Sequence, residues 1–173
     1  AVAKQLGIAY YLLNSEAEFS RTVIDAFVDE YRHGRTPVPC VACNRDLKFG
    51  SLLHRARAWD AESVATGHYA RVTRDEVSGR YLLWKGRDAA KDQSDFLWPL
   101  TQEQLASARF PVGELSKASV RDKARSLGLV TADKPESQEI CFIPDNDYRG
   151  CLRKRVPDAF RPGPFVGRVC TIL

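Results

Sequence analysis

At 173 residues, 44% hydrophobic and 28% charged, the chain is long enough to bury a core and to form one domain or slightly more. A formal charge of +4 suits a polyanionic partner without requiring one, and no run reaches the roughly 18 apolar residues of a membrane span. Five scattered cysteines and the lack of a basic-then-apolar leader argue against a secreted disulfide framework, so a cytoplasmic protein is expected. The sequence has no methionine, even at position 1, and is expected to be an internal piece of a longer protein.

In chain order, residues 7–13 ("GIAYYLL") form an apolar, aromatic-rich stretch that predicts a short strand buried on both faces. Ser15 and Glu18 stand at capping-box spacing. Phe19, Val23, Ala26, Phe27 and Tyr31 then recur at helical period until Gly34 and Pro37 stop the helix. "TPVPCVACNRDLKFG" (36–50) leads into a second helix with Phe49, Leu52, Leu53 and Ala56 on one face. Residues 63–66 predict a buried strand that opens into a loop at Gly67. Alternation on both sides of Ser78-Gly79 predicts a hairpin. "KDQSDFLWPL" reads as a polar loop running into an apolar segment. Beyond it, "TQEQLA" and "SKASVRDKARSLGL" turn helical, with Ser116 as N-cap, Val120, Ala124 and Leu127 as the apolar face, and Gly128 as C-cap. The order strand, helix, helix, strand predicts an α/β domain with a mainly parallel sheet.

Three readings of Cys40 and Cys43 follow from their spacing. A structural zinc site needs four ligands, yet no second CxxC exists, and Cys151, Cys170, His33, His54 and His68 are scattered. A thioredoxin-like dithiol lacks its βαβ setting. As a nucleophile, Cys43 falls near the first turn of a helix, where unpaired N–H groups, Arg45 and Lys48 favour a thiolate. A small buried residue at a helix start fits that position equally well. Cys141, flanked by Ile140 and Phe142, reads alone as core. Cys151 and Cys170 read as structural. The basic run Arg149, Arg153, Lys154, Arg155 and Arg161 reads first as a solvated face and second as a phosphate-contacting one.

Taken together, "TPVPCVACNRDLKFG", "ATGHYAR", "KDQSDFLW", "SQEICFIPD" and "RPGPFV" closely resemble the tRNA-specific 2-thiouridylases, in that family's order and spacing and across essentially the entire chain. The resemblance implies part of a Rossmann-like ATP-pyrophosphatase domain over residues 1–100. A small, mostly helical tRNA-binding domain would follow over 101–160, and the start of a C-terminal β-barrel over 161–173. Cys43 matches the catalytic cysteine and Cys141 the cysteine that carries a persulfide from a sulfur-relay protein. Gly67 matches a nucleotide-contacting position, and His68, Lys91, Asp92 and Gln93 match tRNA contacts. Val38, Pro39 and Cys40 match the segment against the target base.

The implied reaction is thiolation of the wobble uridine. ATP, with Mg2+, adenylates the carbon 2 oxygen, a poor leaving group, and persulfide sulfur then attacks carbon 2. The base must first leave its stack. Two substitutions depart from the family pattern: Val38 replaces an asparagine, and Cys40 an aspartate found in some members. The S-G-G-x-D-S phosphate turn and the C-terminal barrel of that family are not in these residues, so the chain alone is expected to be inactive. Another adenylating ATP-pyrophosphatase, or a zinc- or RNA-binding module, is the competing expectation.

Overall fold

The computed structural model describes residues 2–135, 140–160 and 164. Two long helices dominate the first part. The first runs through Glu16–Phe19, Ser20–Ile24 and Asp25–Arg32 without interruption, its junction residues all in the right-handed helical region. Its predicted face is buried at Val23 and Phe27. The second, the cysteine helix, runs through Pro39–Ala42, Cys43–Ser51 and Leu52–Arg57. In both, the middle segment winds in the π manner, with hydrogen bonds from residue i to i+5: Asp25 N–H bonds Ser20 O, and Leu52 N–H bonds Leu47 O.

β1 (Val64–Ala65) pairs in parallel with β4 (Ala108–Arg109). The predicted hairpin is present, β2 (Ala70–Arg74) lying antiparallel to β3 (Tyr81–Lys85), with Gly79 at φ 69° in its turn. Only one of the two described strand pairs is parallel, so the mainly parallel sheet expected from the sequence is reduced to two residue pairs. One core gathers Phe49, Leu53 and Ala56 of the cysteine helix, Val64 and Ala108 of the parallel pair, and Leu97, Leu100 and Leu105. Leu105 and Ala108 thus lie in the same core as Phe49. A second core joins Phe27 and Val28 to Ile143 and to Leu152 of the helix Tyr148–Arg155.

Three local expectations need correction. Residues 7–13 form no strand: Tyr10, Tyr11 and Leu12 are exposed, and no described strand pairs with them. A strand buried on both faces needs ladder partners, and here the aromatic rings make their own contacts, Tyr11 lying 5.4 Å from the Trp59 ring. Ser15 makes no cap bond; Asn14 Oδ1 accepts from Glu16 N at 3.0 Å, and Glu18 receives the Ser51 hydroxyl instead. The helix Lys117–Ser126 has its predicted caps, Ser119 N donating to Ser116 Oγ at 3.1 Å and Gly128 at φ 62°. Yet none of its residues is buried, so Val120, Ala124 and Leu127 do not form a core face among the described residues.

Gly113 ties the hairpin to the segment after β4. A Cβ there would stand 1.8 Å from Ala70 O, and that oxygen is backbone that cannot swing aside. Because Ala70 directly follows His68 and Tyr69, the close approach also fixes the site described next. Gly113→Ala is expected to destabilise the fold by about 3 kcal/mol or more, read as a lowered urea midpoint.

Candidate functional site

Cys40, Cys43 and Cys141 line one cleft of about 250 Å3, with mainly apolar walls from Phe19, Pro39, Phe96 and Phe142. Pro39 opens the cysteine helix at a position where a missing N–H costs nothing. Cys40 therefore lies in the first helical turn, and Cys43 begins the π-wound segment beyond it. This corrects the expectation that Cys43 meets the helix terminus. Its electrostatic setting differs as well. Burial pushes the Cys43 thiol up from its ordinary value, Lys48 opposes that rise, and the other two cysteines add to it. Burial likewise raises Cys40, with Cys141 the next largest influence and Lys48 again opposing. Arg45, expected to add positive potential, is engaged by Asp46 at 2.7 Å and lines a different groove with Val38.

Cys141 enters the cleft from the far side of the chain. Its neighbour Phe142 packs edge-on against Phe19 at 5.8 Å and Phe27 at 5.3 Å. Ile143 N closes a turn onto Ile140 O at 2.9 Å, and Ile143 is buried. The apolar neighbours thus anchor the segment while Cys141 itself stays exposed, against its reading as core. Cys151 is half-buried beside the second core, whereas Cys170 lies outside the described residues.

The other sequence-predicted residues fall into separate places. Pro39, His68 and Gln93 line the cysteine cleft. Gly67, Lys91, Asp92 and Gln93 line an adjoining groove of about 420 Å3, so Gln93 belongs to both. Gln93 is fastened to Tyr69 in both directions, donating from its backbone N at 2.9 Å and accepting at Oε1 at 3.2 Å. Asp92 accepts from Gly86 N at 2.7 Å and from the Ser94 hydroxyl at 2.9 Å. These hydrogen bonds outweigh its desolvation, and the carboxyl lies below its usual range. Val38 is exposed and lies beside Trp98, outside the cleft that holds Cys40. Arg149, Arg153, Lys154 and Arg155 are exposed on the helix whose Leu152 enters the second core, and Arg161 is outside the described residues.

Two cleft residues escaped the sequence reading. Asn44 is only 2% exposed; its Nδ2 donates to Phe96 O at 3.1 Å, while Oδ1 has no hydrogen-bond partner among the described residues. An asparagine directly after the second cysteine of the CxxC was the available signal. Phe96, hidden inside a polar-looking loop, gave none. No group of three or more His, Cys, Asp or Glu side chains among the described residues could hold a metal ion, so Cys40 and Cys43 lack further zinc ligands there. Among those residues no helix is long and apolar enough to cross a membrane.

Comparison with known proteins gives the family. The family described as the tRNA methyl transferase HUP domain, a Rossmann-like α/β fold, matches residues 1–145. The tRNA-specific 2-thiouridylase MnmA of Symbiobacterium thermophilum is 53% identical over 167 residues, which cover 96% of this chain and 43% of that protein. The proteins of the same name from Heliobacterium modesticaldum and Carboxydothermus hydrogenoformans are 54% and 53% identical. The chain spans under half the length of these relatives, 43% to 47%.

His68 makes a separate, measurable demand. It is buried between Phe49 and Phe110 and shares a 2.7 Å hydrogen bond with the Thr66 hydroxyl through Nδ1. Burial, with help from Lys48, lowers its pKa from 6.5 to about 4. Between those values the unfolded chain binds a proton that the folded chain refuses, so this contribution is intact above pH 6.5 and lost as pH falls toward 4. Denaturation across that window should show a loss of about 1–3 kcal/mol that His68→Gln removes.

Proposed function

The chain belongs to the tRNA methyl transferase HUP-domain family, and we propose that the protein carries out ATP-dependent 2-thiolation of the wobble uridine of tRNA. The observation that carries this reading is the meeting of Cys43 and Cys141, far apart in sequence, on the walls of one cleft. The relatives, named tRNA-specific 2-thiouridylases, supply tRNA and the 2-thiouridine product.

In this reading Pro39, Phe19 and Phe96 receive the uracil after it leaves its stack. Cys141, exposed and reachable, accepts a persulfide from a sulfur-relay protein. ATP adenylates the carbon 2 oxygen, and the outer persulfide sulfur bonds to carbon 2 as AMP leaves. The Cys43 thiolate then attacks Sγ of Cys141. The sulfur–sulfur bond breaks, its electron pair goes to the sulfur left on carbon 2, and a Cys43–Cys141 disulfide remains. Both electrons of that reduction come from the two cysteines. An external thiol must restore them before the next turnover.

Gly67 has open space around it, and its groove also holds Lys91 and Lys117, a setting suited to an anionic group of ATP or tRNA. Mg2+ accompanies ATP in the proposal, though no carboxylate cluster among the described residues fits it. The words "methyl transferase" in the family description suggest a second chemistry. A cleft lined by three thiols favours sulfur handling over methyl transfer.

In the full-length protein, Cys43→Ser is expected to abolish thiouridine formation and Cys40→Ser to leave most of it, read by nucleoside mass spectrometry of digested tRNA. Mild oxidation and peptide mapping should give a Cys43–Cys141 crosslink, enriched when tRNA is bound. A Cys40–Cys141 crosslink with full activity in Cys43→Ser would move the role to Cys40. A methylated nucleoside would overturn the reaction itself.

A further inference from the structure

The cysteine cleft meets a second groove of about 300 Å3, lined by Ser15, Leu47, Ser51 and Arg55 among others. Only Phe19, Cys43 and Lys48 line both. In an α-helix a residue five positions on is rotated by about 140°, and Asp46 or Leu47 would share the face of Cys43. The π winding of Cys43–Ser51 changes the partner, because residues five apart then stand nearly one turn above each other. It brings the ammonium of Lys48 to the cleft and leaves the carboxylate of Asp46 paired with Arg45. Lys48 is half-buried and has no hydrogen-bonded or ion-paired partner among the described residues.

We propose that Lys48 is the counter-charge for anionic sulfur at Cys43. The groups facing that sulfur are few. Cys40 and Lys48 come from its own helix, and Cys141 and His68 from other elements. Glu18, on the first helix, receives the Ser51 hydroxyl, and Arg55 lies in the second groove. His68 is neutral at working pH, which leaves Lys48 as the one cation of the cysteine cleft among the described residues. The geometry also separates the two thiols of the CxxC. Cys43 lines both grooves together with Lys48, whereas Cys40 lines only the cysteine cleft. Cys43 rather than Cys40 becomes the thiolate when the cleft is engaged.

The inference takes from the proposed function only the identity of the sulfur that Cys43 attacks; the thiol's titration requires no turnover. Peptide-resolved alkylation of Cys43 in the full-length protein is followed against pH for the native protein, Lys48→Gln and Lys48→Arg. Lys48→Gln is expected to raise the midpoint by about one pH unit and to slow alkylation at neutral pH roughly tenfold, with Lys48→Arg close to native. In the native protein, the rate ratio of anionic iodoacetate to neutral iodoacetamide at Cys43 should exceed that of N-acetylcysteine. This second measurement stands even where a variant folds poorly. Superimposable Lys48→Gln and native profiles, or a ratio no higher than that of N-acetylcysteine, overturns the proposal. Lost thiolation with these thiol results intact would count against the proposed reaction and not against Lys48.

Discussion

The amide of Gln104 donates to two carbonyls of the cysteine helix, Arg45 O and Phe49 O, at 3.0 Å each, and the site depends on that clamp. A π-wound segment is a rare and costly helix, kept where the surroundings hold its carbonyls in register. Gln104 can do so because it is itself held. Its Oε1 accepts from Thr101 N at 3.0 Å while its own N–H donates to the Thr101 hydroxyl, a complete capping box. The helix so capped runs directly into β4, which pairs with β1. One side chain therefore couples the winding of residues 43–51 to the strand pair that carries the loop of Gly67 and His68. Gly50 completes the fit: a Cβ there would press to 3.1 Å from Arg45 O, tight against the same carbonyl that Gln104 holds.

The cleft is consequently built from two independent supports. Cys40 and Cys43 ride on a helix fixed to the first core through Phe49 and Leu53. Cys141 rides on a short apolar segment fixed to the second core through Phe142 and Ile143. The first long helix serves both, since Phe19 lines the cleft and touches Phe142 while Phe27 is buried in the second core. Aromatic edge contacts of this kind are worth about 0.5–1.5 kcal/mol each beyond the area they bury. Two of them holding Phe142 hold a neighbouring exposed thiol in place without covering it.

Much of this was legible in the sequence where a local rule fixes the outcome. The hairpin at Ser78-Gly79 and the Ser116 and Gly128 caps depend on few neighbours, and all are found. The resemblance of the motifs brought Cys43 and Cys141 together before any geometry did. The misreadings come where tertiary contacts decide. Residues 7–13 have strand composition but no ladder partner among the described residues. Cys141 looked like core because its neighbours are apolar, yet those neighbours are what expose it. The placement of Cys43 failed by one helical turn, because the helix begins at Pro39 itself and not after the CxxC. The sequence reading names Lys48 as favouring a Cys43 thiolate, but no periodicity rule announces the π segment that sets the two residues on one groove.

Three thiols in one cleft carry a hazard that the same physics contains. A thiolate, not a thiol, attacks a disulfide or a persulfide, and neighbouring thiolates would close on each other as soon as an oxidant arrived. Burial raises both Cys40 and Cys43 from their ordinary values, which favours their neutral thiols. The walls that impose this desolvation are Phe19, Pro39 and Phe96, the surfaces a planar base would also cover. Filling the cleft removes water from the same groups, and a cation fixed there then acts in a lower dielectric, where its field on a sulfur anion is stronger. Apolar walls and Lys48 thus act on the same sulfur in opposite directions, desolvation favouring the neutral thiol and the ammonium favouring the anion.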